Sequence, residues 1–183
     1  MKNFKFLVLS LAGIFSAVAS IAQKPVIVGG ALMYPAKNIV ENAMNSKDHT
    51  TLVAAVKAAG LVETLEGPGP FTVFAPTNVA FDKLPAGTVS NLLKPENKAM
   101  LSSILTYHVV AGNLDSKELA ALIVKGKGTA ALKTVEGDTL WVMMKGNKIM
   151  LKDEKGNMAM VTIRDVHQSN GVIHVVDHVL MPK

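Results

Sequence analysis

Histidines, clustered methionines and scattered carboxylates are the side chains of this sequence with most capacity for chemistry. His174 and His178 stand four apart with Asp177 between them. On a helix that spacing would place two imidazoles and a carboxylate on one face, as in a zinc motif. The Val172, Ile173, Val175 and Val176 content demands a strand instead. Residues four apart on a strand are about 13 Å from one another. A metal held by His174 or His178, both weak candidates, would therefore need His108 or His167 brought alongside from another strand; otherwise these are ordinary structural histidines. Met143, Met144, Met150, Met158 and Met160 concentrate in the last third of the chain, and Met158 and Met160 share one strand face. Thioethers suit Cu(I). Methionine also fills irregular packing between strands, and the wider Met-x-x-Met repetition of a copper site is missing.

Other chemistries find less support. The chain has no cysteine, which excludes disulfides, thiolate nucleophiles, thiolate metal sites and an acylated N-terminal cysteine. A Gly-x-Ser-x-Gly elbow is absent, and Lys125-Gly126-Lys127-Gly128-Thr129 lacks the spacing that wraps backbone amides around a phosphate. It reads as a charged loop. Asp153 and Glu154 beside Lys155 read as solvated turn carboxylates rather than an acid–base pair, and Lys145 to Lys148 as a solvated hairpin tip. We expect no enzyme activity and no cofactor.

The chain has 183 residues, 49% of them hydrophobic, with 19 Lys and Arg against 14 Asp and Glu. That composition suits one folded domain. Lys2 and Lys5 precede an apolar stretch, Phe6 to Val18, which is followed by the small residues Ser20 and Ala22. The stretch is shorter than the roughly 20 residues that span a bilayer. Residues 1–22 read as a cleaved signal peptide, residues 23–37 as a polar lead and residues 38–183 as the domain. Cleavage takes away Lys2 and Lys5, so the net charge falls from +5 to +3, and no stable membrane span is expected to remain. All cations but Arg164 are lysines, which leaves few bidentate readers of phosphate or guanine and argues against nucleic acid. The expected location is exported: periplasm, cell surface or medium.

The elements that would position these residues run from helix to strand. Asp48 is placed to cap a helix whose stripe is Leu52, Val53, Val56 and Ala59, with Gly60 ending it. After Gly67-Pro68-Gly69-Pro70, Phe71 to Ala75 reads as a buried strand stopped by Pro76. Thr77 would cap a short helix carrying Phe81 and Leu84, and Pro95 would open another with Met100, Leu101, Ile104 and Leu105 on one side. Tyr107 to Val110 reads as extended. Strand-like runs follow at Thr139–Met144, Lys148–Lys152, Met158–Arg164 and Val172–Leu180, separated by Gly146-Asn147, Lys155-Gly156-Asn157 and Asn170-Gly171 turns. Helices followed by antiparallel strands mean an α+β fold. The last run is apolar on both faces, which predicts a central strand and buries His174 or Asp177. Buried polar groups need partners, and we expect Asp177, His174 and His108 to be held by the loop around Thr77 and Asn78.

Three segments together resemble the fasciclin domain family over about Asn38 to Pro182. Phe71 to Phe81, with Thr72, Phe74, Pro76, Thr77, Asn78 and Phe81, resembles its first box. Tyr107-His108 matches the Tyr-His pair between the boxes, and Asn170 to Pro182, with Gly171, His174, Asp177 and Leu180, resembles the second box. The resemblance implies a helical layer packed on a wedge of two mainly antiparallel β-sheets. It also implies adhesion or matrix interaction without catalysis, with a cell-surface or matrix protein or a polysaccharide as partner, and a binding role for Tyr107 and His108. The alternative is a periplasmic or extracellular small-ligand or metal binder using His and Met side chains.

Overall fold

The computed structural model describes residues 23–183; the signal-peptide reading of residues 1–22 lies outside the described residues. In the lead segment, strands β1 (Val26–Val28) and β2 (Ala31–Met33) form an antiparallel ribbon. Its alternation sends Val28 and Met33 into the core, a pairing too short to read in the sequence.

Helix α1 (Ile39–Ala43) starts with a capping box between Asn38 and Glu41. A 3-10 turn at Lys47–His49 then runs directly into α2 (Thr50–Ala59). Asp48 is inside that turn rather than ahead of the helix, so it does not act as the expected cap. Gly60 does end α2, at φ 73°, in the left-handed conformation that costs glycine least. After α3 (Val62–Glu66) and β3 (Phe71–Pro76), Thr77 caps α4 (Asn78–Asp82) by accepting the Ala80 N–H at 3.3 Å. Helix α5 (Thr88–Leu92) and a 3-10 turn at Pro95–Asn97 lead to α6 (Lys98–Tyr107). Tyr107 is thus the last helical residue, not part of an extended run. The extended segment is β4 (Val109–Ala111), followed by α7 (Ser116–Lys125), which Asp115 and Glu118 cap reciprocally.

The remaining strands are β5 (Thr129–Lys133), β6 (Thr139–Lys145), β7 (Lys148–Lys152), β8 (Met158–Gln168) and β9 (Gly171–Val176). They join β3 and β4 in one seven-stranded order, β4-β3-β9-β8-β7-β6-β5. Only β3 and β9 run parallel; every other pair in that sheet is antiparallel. The two halves of the wedge share β8, whose start pairs with β7 and whose later part pairs with β9. Register shifts between Val161 and Val166 bend it from one to the other. The outer edges then meet: Val110 bridges Thr134, and the Val135 N–H donates to the Val109 carbonyl at 2.8 Å.

Strand alternation sorts the apolar residues into two cores. Val73, Ala75, Ile173 and Val175 face α1 to α6. Phe74, Val176, Leu140, Val142, Leu151 and Ala159 face the inside of the wedge, where Leu119 and Ile123 of α7 cover them. Strand β9 is central, as its two apolar faces predict. Residues 177 to 180 leave the strand.

Candidate functional site

The polar residues of the boxes are built into this interior. His174, fully buried on β9, stacks on Phe74 with ring centroids 5.7 Å apart. Its Nδ1 accepts the Asp165 N–H at 3.3 Å, so Nε2 carries the proton and donates to the Leu114 carbonyl at 2.8 Å. His108 is held likewise: Nε2 accepts the Leu180 N–H at 3.0 Å, and Nδ1 donates to the Ile104 carbonyl at 2.8 Å. Burial makes the charged imidazolium unfavourable in both, pushing His108 down to about 4 and lowering His174. Tyr107, also fully buried, donates its hydroxyl to the Thr139 carbonyl at 2.8 Å, and burial raises it to about 12. The Tyr107-His108 pair therefore packs inside the folded domain and is not displayed on its surface.

The expected clasp around Thr77 and Asn78 does not form. Thr77 reaches the second box only through its backbone, donating to the Val176 carbonyl at 3.3 Å. Asn78 turns the other way, accepting the Thr51 N–H at 3.0 Å and donating to the Lys47 carbonyl at 2.8 Å. Asp177 is half-buried beyond the end of β9, where it accepts the Met160 N–H at 2.7 Å and pairs with His178 at 2.9 Å. Burial alone would raise its pKa, but the His178 and Met160 hydrogen bonds outweigh it and hold the carboxyl below its ordinary value. Lys83 donates to the Asp177 carbonyl oxygen at 2.8 Å. Thr72 joins β3 to the segment before α7, donating to the Gly112 carbonyl at 2.7 Å and accepting the Leu114 N–H at 2.8 Å. Phe74, Phe81 and Leu180 are core residues, and Pro76 ends β3 in a buried position.

Two residues outside the expected set matter as much. Asn170 accepts the Ile39 N–H at 3.0 Å and donates to the carbonyls of Leu65 at 2.8 Å and Gly67 at 2.9 Å, tying three segments together. The hairpin turn is Ser169-Asn170, because Gln168 pairs with Gly171. Neither turn residue has positive φ. Gly171 is required for a different reason than turn conformation: a Cβ there would fall on the Phe71 carbonyl of the parallel neighbour. Asp153 is fully buried, not solvated. It accepts the Asn157 N–H at 2.7 Å and the Met181 N–H at 3.0 Å, closing its turn and pinning the C-terminal segment.

These arrangements offer little to a substrate. Ser116 donates its hydroxyl to Asp165 rather than to an imidazole. Both nitrogens of His174 and of His108 are already engaged, which leaves neither free as a general base. Among the described residues no group of three or more His, Cys, Asp or Glu could hold a metal ion. The apolar cavity between α1, α2, α3 and β3 is about 70 Å³, smaller than the roughly 150 Å³ that admits a benzene-sized guest.

Surface chemistry is concentrated on the outer face of β5 to β8. Alternation turns Leu140, Val142, Leu151 and Ala159 inward, so Trp141, Met143, Lys145, Lys148, Met150, Lys152, Met158 and Met160 point outward. Where β8 leaves β7 for β9, the strands part around an open cleft of about 300 Å³ lined by Asn147, Lys148, Met160, Thr162 and Arg164. None of these cations forms an ion pair with a carboxylate among the described residues.

Comparison with known proteins places this architecture. The fasciclin domain family profile matches residues 47–182. Protein sll1483 of Synechocystis is 48% identical over 87% of this chain and 82% of its own length. The cell surface glycolipoprotein MPT83 of Mycobacterium tuberculosis is 37% identical over 88% of this chain and 68% of its own. The transforming growth factor-beta-induced protein ig-h3 of Sus scrofa is 36% identical over 81% of this chain, which matches only 20% of that longer protein. Among solved structures, the domain pair of the insect cell adhesion molecule Fasciclin I shares the fold with a TM-score of 0.69 at 19% identity, over 79% of this chain and 51% of that one. Of these, MPT83 is a cell surface glycolipoprotein and Fasciclin I a cell adhesion molecule; among the described residues of this chain no helix is long and apolar enough to cross a membrane. The chain belongs to the fasciclin domain family.

Proposed function

We propose that this chain is an exported, surface-associated adhesion module without catalytic activity, and that the outer face of β5 to β8 meets an acidic cell-surface polysaccharide. One observation carries the choice of face: Lys145, Lys148, Lys152 and Arg164 share it with an open cleft and a half-buried Trp and Met surface, and have no carboxylate partner among the described residues. Unpaired cations on flexible stems suit the spaced carboxylates of a polymer, each contact being weak in water and the sum appreciable. The interior is committed to structure, so adhesion must use such a surface rather than Tyr107 and His108. The domain assignment, 38–183 after a removed leader and a short lead, belongs to the same reading.

The test is sedimentation of the mature chain with an insoluble uronate polysaccharide and with intact bacterial cells. Binding should fall at least tenfold in a K145E/K148E/K152E/R164E variant and weaken as salt rises. Undiminished binding by that variant rejects this face, and no binding by the parent chain rejects the partner class.

A further inference from the structure

The β-ladder aligns three methionines that are far apart in sequence. Met143 of β6 is the direct cross-strand partner of Met150 of β7, and Met150 is the direct partner of Met160 of β8. All three are half-buried on the outer face. Directly opposed side chains have Cβ atoms about 5 Å apart, and a methionine has three rotatable bonds by which the outer two can lean over the middle one. The row cannot slide out of line. On the inner face of the same strands Val142, Leu151 and Ala159 are completely buried, and a shift of one residue would turn them to water.

We propose that Met143, Met150 and Met160 form a binding site for monovalent copper, Cu(I). Three uncharged thioethers are a soft donor set, which selects Cu(I) over divalent ions preferring imidazole or carboxylate. The chain has no cysteine to compete for the ion. Trp141 lies two residues before Met143 on the same face and can cover the ion with its ring. Lys148 and Lys152 flank Met150 on the same face. Their like charge opposes a bound cation at low salt, so added salt should tighten binding. This dependence is opposite to that of polysaccharide binding. The site is independent of the adhesion reading, and either can fail alone.

The experiment uses the mature, untagged chain with Ag(I), a redox-inert stand-in, and with Cu(I) under anaerobic conditions. Trp141 is the only tryptophan, so its fluorescence reports the site directly. Expected results are saturable quenching at one equivalent, a single-ion adduct in native mass spectrometry, and loss of both in M143L/M150L/M160L. M144L and H178A should bind as the parent does. Leucine on this outer face should leave the fold intact, which a melting curve checks. Methyl NMR of the parent chain provides a readout that needs no variant: the Met143, Met150 and Met160 methyls should shift first on titration. Absence of stoichiometric binding, retained binding in the triple variant, or first shifts at other methionines would each overturn the proposal.

Discussion

His108 shows at the scale of one residue how a motif histidine can hold a fold together without doing chemistry. It sits where α6 gives way to β4, and each ring nitrogen has one backbone partner, Ile104 behind and Leu180 from the far end of the chain. Only the neutral ring can accept the Leu180 N–H and donate to the Ile104 carbonyl, so protonation breaks a contact between segments 72 residues apart. With a folded value of about 4 against 6.5 unfolded, the unfolded chain takes up the proton first. Stability from His108 is complete above pH 6.5 and lost as pH falls to about 4, a change of roughly 3 kcal/mol. Burial acts in the same direction on His174, and the lowered Asp177 adds a further loss through the carboxylate range. Urea unfolding at pH 7 and pH 4.5 should show this loss, and His108→Gln should flatten the dependence while lowering stability at pH 7. Equal unfolding free energies at both pH values would show that the buried imidazole is not what acid attacks.

At the scale of elements, the second box works as a splice. Asn170 in the β8–β9 turn reaches the start of α1 and the end of α3, while Gly171 lets β9 close on Phe71 of β3. Asn170→Ala would strand two carbonyls and one N–H in a buried place and should cost about 2–4 kcal/mol in chemical denaturation. Asn170→Asp should be no milder, because the carboxylate sets an oxygen against the carbonyls of Leu65 and Gly67. A loss under 1 kcal/mol in both would assign the splice elsewhere. The α+β class, the central β9 and the Thr77 cap were legible because each rests on periodicity or a local capping pattern. The β1–β2 ribbon, the Met143–Met150–Met160 row and the destinations of Asn170 were not, because they depend on which strands become neighbours. Asp153 was misread for the same reason: a turn carboxylate looks solvated until the C-terminal segment folds over it.

For the whole molecule, β3 and β9 are the common wall of two cores, one under the helices and one inside the wedge. Neither core can open far without exposing that wall, so the domain should unfold as one unit. Native-state hydrogen exchange should find the slowest amides in β3 and β9 and the fastest in the β1–β2 ribbon and the β6–β7 tip. If β9 amides exchanged as readily as those of β1, the two cores would be independent. The bridge from Val110 to Thr134 extends this argument to the edges of the seven-stranded sheet. By folding its first and last strands against each other, the sheet limits the backbone it offers to a neighbour. The fewer unpaired backbone groups these edges offer, the more it falls to side chains rather than backbone to decide what neighbouring copies of the domain hold.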